Sequence, residues 1–177
     1  TRKESSAASD VYKRQKGRYY EDLATIPKVM TKTKKIVYLP EVYYYYLMRD
    51  GSIMHSRNFE KNYEDRTWAV DQLLEYFERE NLIETYRNEL EYLVFENTYF
   101  VPSKEIVLND RKSEYLKKFR DYAYNKFPQM NKNYYVQQIA GKDKILLKLL
   151  QYRMYGMMVL MSQLRRMKDR LAAVSRR

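Results

Sequence analysis

A chain of 177 residues with no cysteine has neither disulfides nor thiolate metal sites, and its four glycines and four prolines favour long helices over a many-stranded sandwich. Hydrophobic residues at 45% and charged residues at 32% exclude a wholly disordered chain, and no run of about 20 apolar residues offers a membrane-crossing helix. The net charge of +11 is concentrated at the end: residues 142–177 carry ten basic and two acidic side chains, whereas 16–141 carry 20 and 19. A near-neutral body argues against nucleic acid as a partner, since a nucleic-acid binder places its basic stripe on the folded domain.

In chain order, residues 1–15 are small and polar without helical or strand period, and 5–15 (SSAASDVYKRQ) resemble a translated sequencing-adaptor scar. They are set aside as a non-native leader, and the natural chain is expected to extend upstream. In 16–35, Glu21 and Asp22 precede Leu23, Ile26, Val29 and Met30, a short helical pattern with acids in its first turn and Pro27 inside it. Residues 36–39 and 42–47, rich in β-branched and aromatic side chains around Pro40-Glu41, are predicted as two short strands, followed by a turn at 49–52.

After Asn58 the period becomes helical. Trp68, Val70, Leu73, Leu74 and Phe77 form one pattern, and Leu82, Tyr86, Leu90, Leu93 and Val94 repeat it. A break is expected over 103–109 behind Pro102, then a helix from Tyr115 to Phe127 ended by Pro128, a short segment over 134–140, and one long helix from about 143 to 173. Along that last element Leu146, Leu150, Met154, Met157, Met161, Leu164 and Leu171 make an apolar stripe, with Arg165, Arg166, Lys168 and Arg170 at one end. This suits an interfacial helix on an anionic membrane surface. Packing against its own domain or a second subunit is the alternative, because methionine fills irregular cores well.

The segment YYEDLATIP (19–27) followed by KKIVYLPEVYYYYLMRDGSIM (34–54) resembles the end of the catalytic domain of bacterial family-2, GT-A-type glycosyltransferases. The resemblance rests on the order and spacing of the acidic pair, the helix, the two strands and the turn running into Gly51-Ser52-Ile53. It is close over 16–100 and loose beyond. It implies a C-terminal fragment of an inverting enzyme that moves a sugar from a nucleotide-sugar donor to a glycan or lipid-linked acceptor.

Mapped by motif, Asp22 is the general base and Glu21 holds the acceptor or orients its neighbour; from the residues alone, the pair reads as a helix cap. Arg49 and Ser52 fall where the family closes a loop over the donor diphosphate, an arginine fork suiting phosphate oxygens; a solvated turn is the alternative. His55, the only histidine, could face acceptor or metal, but the family pattern places a histidine nearer the Gly-Ser, where Arg49 or Asp50 stands, so a surface role competes. A divalent cation, Mg or Mn, is implied for the full-length enzyme, with its Asp-x-Asp ligands and the uridine-binding strands upstream, outside this fragment.

The expected fold is thus mostly α with a small β element: a remnant of a GT-A α/β domain over 16–58, a helical region over 59–141 and a basic amphipathic helix over 142–177. The implied location is cytoplasmic, peripheral on the inner face of the plasma membrane. The competing function is a non-enzymatic helical module that binds a membrane surface or a partner.

Overall fold

The computed structural model describes residues 18–42 and 58–174, and the chain divides into two compact units, Thr1–Thr85 and Tyr86–Arg177. In the first, helix α1 (Glu21–Lys32) packs on helix α2 (Phe59–Arg79). The two run in the same direction, for the Tyr20 hydroxyl donates to Asn62 Oδ1 at 2.7 Å near one end and Lys32 Nζ reaches Glu80 at 2.6 Å near the other. Between them Ala24 is buried and the Thr31 and Tyr76 hydroxyls meet at 2.9 Å. Asn58 starts α2 as the sequence pattern suggests, its side chain accepting the Lys61 N–H at 3.0 Å. Ala69, Val70, Leu73 and Phe77 form the buried stripe of α2.

Residues 36–39 are not a strand. Ile36, Val37, Tyr38 and Leu39 are 59–85% exposed and hydrogen-bond to no neighbouring backbone segment in a ladder. Their composition reports a preference for extended backbone, but a strand exists only when another segment pairs with it. There is no strand among the described residues. The second expected strand lies, apart from Val42, outside those residues, as does the turn at 49–52.

The second unit is a sequence of short helices. Helix α3 (Arg87–Phe95) runs into a π-helical turn, Glu96–Phe100, and on into α4 (Val101–Asn109). The expected break at 103–109 is therefore a helix. Pro102 sits in the first turn of α4, where its missing N–H costs least. The wider π turn before it is supported by side chains that bond backbone carbonyls: Thr98 Oγ1 to Val94 at 2.7 Å and Asn97 Nδ2 to Leu93 at 3.0 Å. Helix α5 (Tyr115–Lys126) follows, then a 3-10 turn, Met130–Lys132, and α6 (Tyr134–Gln137). Buried Asn133 ties α6 to α3, accepting the Tyr135 N–H at 2.9 Å and donating to the Asn88 carbonyl at 2.9 Å. Leu90, Val94, Phe95, Ile106, Val107, Phe119, Ala123 and Met130 fill the core.

The expected helix over 143–173 is two helices, α7 (Gly141–Gln151) and α8 (Tyr155–Val174). The corner is Arg153, with φ at 57°, where the Met154 N–H returns to the Leu149 carbonyl at 2.8 Å and the Arg153 N–H to Leu150 at 3.0 Å. That pair of bonds closes a helix end with one left-handed residue. Asn81, φ 57°, does the same after α2. Arginine is strained in this conformation, whereas glycine is not. Arg153→Gly is accordingly expected to stabilise the protein by about 0.5–1 kcal/mol, a rise in Tm of roughly 2–4 °C. A lowered melting temperature would show that the arginine side chain supports the corner.

Candidate functional site

The acidic pair is positioned by the residues just before it. Asp65 on α2 is 1% exposed and gathers three donors: Arg18 Nη1 at 2.9 Å, Lys61 Nζ at 3.0 Å and the Tyr19 backbone N–H at 3.1 Å. Cations and rings interleave around this carboxylate. The Arg18 guanidinium lies 5.4 Å from the Trp68 ring, Lys61 lies 4.6 Å from Tyr19, and Arg66 lies 4.3 Å from Tyr20. Asn62 Oδ1 accepts both the Tyr20 hydroxyl and Arg66 Nε, each at 2.7 Å. Tyr20 itself is left-handed, φ 63°, a strain on the order of 1–3 kcal/mol that these contacts hold in place.

Burial pushes the Asp65 carboxyl up, but hydrogen bonds from Lys61, Arg18 and the Tyr19 N–H outweigh it and hold it below the usual carboxylate range. A carboxyl that loses its proton more readily when folded adds stability that is complete above its unfolded pKa of about 3.9 and fades as pH falls through the folded value. Urea unfolding followed by fluorescence of Trp68, the only tryptophan, should therefore show stability dropping below about pH 4. Asp65→Asn should be less stable at neutral pH and flatter across that window. Equal slopes for both proteins would contradict the clamp.

Glu21 and Asp22 stand side by side in the first turn of α1, Glu21 half-buried and Asp22 exposed. Asp22 Oδ1 accepts the Leu23 N–H at 2.9 Å, and acids here complement the helix dipole. Asp22 thus takes up one first-turn N–H, although the N-cap Tyr20 makes no side-chain cap bond, and the rest of the carboxylate stays open to solvent. One and two turns on, Ile26, Val29 and Met30 are 48–57% exposed on the same side of α1, opposite the face that meets α2. Arg49, Ser52 and His55 lie outside the described residues. Among the described residues there is no group of three or more His, Asp or Glu side chains that could hold a metal ion.

Two clefts of the second unit differ in character, one mostly apolar and one mixed, and neither is lined by Glu21 or Asp22. One, of about 270 Å3 between α4, α7 and α8, has an apolar floor that includes Leu108, Leu146 and Met158, with Lys104, Lys142 and Arg165 around it. Lys104 is already engaged, 3.4 Å from Asp143 and 3.9 Å from the Phe100 ring centre. The other, about 660 Å3, includes Tyr99, Tyr124, Asn131 and Gln151. Its amides bond to one another and to the Tyr124 hydroxyl, and burial pushes the Tyr99 phenol well up, keeping it protonated.

The sequence pattern does not single out Asp65. The available signal is register: Asp65 and Arg66 precede Ala69 and Val70 by one turn, which puts two charges on the core stripe of an amphipathic helix. Comparison of the chain with models of known families, with curated proteins and with solved structures found no match in any of the three.

Proposed function

We propose that this chain is the C-terminal part of an inverting, GT-A-type family-2 glycosyltransferase, with Asp22 as its general base. The observation that supports this reading is the bare apolar surface around the acidic pair. Asp22 heads the exposed row Ile26, Val29 and Met30, and farther along the chain the apolar residues 36–39 are exposed as well. A row of apolar side chains left open to water often marks a surface that another segment covers. A nucleotide-binding sheet packed on that row would place Asp22 at the rim of the pocket.

In the reaction Asp22 takes the proton of an acceptor hydroxyl as that oxygen attacks the anomeric carbon of the donor sugar. The new C–O bond forms on the face opposite the nucleoside diphosphate, whose bond to the sugar breaks with inversion, and the proton remains on Asp22. Glu21 orients the acceptor, with Ser52 and His55 as further substrate contacts. Arg49 meets the charge that develops on the departing diphosphate. A divalent cation, Mg or Mn, would share that neutralisation, held by ligands of the nucleotide-binding half. The acceptor is a glycan or lipid-linked sugar at the cytoplasmic face of the cell envelope.

The test joins the chain to its nucleotide-binding half and measures transfer by Asp22→Asn. Loss of turnover with donor binding retained supports the assignment, and a near-normal rate sinks it.

A further inference from the structure

We propose that α8 lies along an anionic bilayer surface through Met157, Leu160, Leu164, Met167 and Leu171. This inference does not rest on the glycosyltransferase reading. Helix α8 is apolar on two opposite sides. One side is used inside the unit, where Met158 is 2% exposed and Tyr155, Val159, Met161 and Ser162 are half-buried as α8 packs on α4 and α7. The other side carries the five named residues at 45, 46, 55, 58 and 70% exposure, rising toward the C-terminus. It differs from the stripe expected of one continuous helix, because the corner at Arg153 separates Leu146 and Leu150 from it and packing removes Met161.

The spacing of three and four residues matches a coiled-coil seam, so a second copy of the chain is the rival occupant. Length and charge decide between them. From Met157 to Leu171 the seam lasts about two heptads, short of the three or four that mark a coiled coil. Lys168 directly follows the seam residue Met167 and borders the seam, whereas Arg165 and Arg166, two and one residues before Met167, lie on other faces of the helix, Arg165 in the cleft against α4 and α7 and 3.9 Å from the acid Asp169. Two copies would bring the Lys168 charges that border the seam into the interface. An anionic surface instead meets them with headgroups while the methionines and leucines enter the boundary below, as in helices that lie in an interface. No helix among the described residues is long and apolar enough to cross a membrane, so the helix lies in the plane.

The experiment is sedimentation of the 177-residue chain with phosphatidylcholine vesicles, with and without phosphatidylglycerol, at low and high salt. Binding is expected only with phosphatidylglycerol and should weaken at high salt. The double variant Leu164→Glu, Met167→Glu should lower affinity by roughly tenfold or more. Lys168→Glu should lower it on the order of fivefold or more, the change expected for one basic group at a charged surface. All three positions are exposed, so circular dichroism melts of the variants should match the parent. Unaltered vesicle binding by the double variant overturns the proposal, as does equal binding to neutral vesicles. So does a dimer in analytical ultracentrifugation that the double variant dissociates, which would assign the face to a second copy of the chain.

Discussion

On the proposed glycosyltransferase reading, Asp22→Asn is expected to reduce kcat by about 10²–10⁴-fold when the chain is joined to a nucleotide-binding half, with little change in KM for the donor. The substitution separates the two roles of the side chain. Asparagine keeps the shape and still accepts the Leu23 N–H that Asp22 holds at 2.9 Å. What it cannot do is take a proton. Loss of the negative charge beside the helix dipole should cost less than about 1 kcal/mol of stability. A large fall in turnover with an unchanged melt therefore identifies a base, and a small fall with a lowered melt identifies only a cap. Glu21→Gln is the comparison, and its smaller effect should appear in KM for the acceptor.

Phe95→Ala is expected to destabilise the second unit by about 3–5 kcal/mol, a large share of the 5–15 kcal/mol typical of a folded domain. Phe95 is fully buried at the end of α3. Its ring stacks on Phe100 at 5.6 Å with 15° between planes, meets the edge of Tyr99 at 5.9 Å and lies 6.2 Å from Tyr92. The π turn holds two of these partners, Tyr99 and Phe100, so truncation leaves a cavity bordered by a turn that has little freedom to collapse. Urea unfolding followed by far-ultraviolet circular dichroism measures the loss. Phe95→Leu should cost markedly less, and an alanine variant within about 1 kcal/mol of the parent would show that the cluster is loosely packed.

Local periodicity was enough to read α2 and α5, because an amphipathic stripe is written in neighbouring residues. The acids at the head of α1 were legible for the same reason. Corners were not. Arg153 and Asn81 end helices in a conformation that glycine would advertise, while Gly156, the nearest glycine to the first, lies inside α8. Pro102 reads as a breaker until its position in the turn is known. Residues 36–39 have strand composition without a strand, since pairing depends on segments far away in sequence. Asp65 was hidden too: two of its donors, Arg18 and Tyr19, come from 47 and 46 residues upstream. As for the candidate site, the sequence offers Glu21 and Asp22 as candidates, and only the tertiary structure shows the Asp65 contacts that fix the residues just before them.

That clamp has a consequence for molecular encounter. With Arg18 and Tyr19 anchored and Tyr20 already turned, the backbone leading into Asp22 has lost its freedom during folding. Ordering a residue requires on the order of 1–2 kcal/mol. A visiting molecule that touches Asp22 meets a carboxylate whose approach is already set, so the free energy of that contact goes into affinity or rate rather than into arranging the chain.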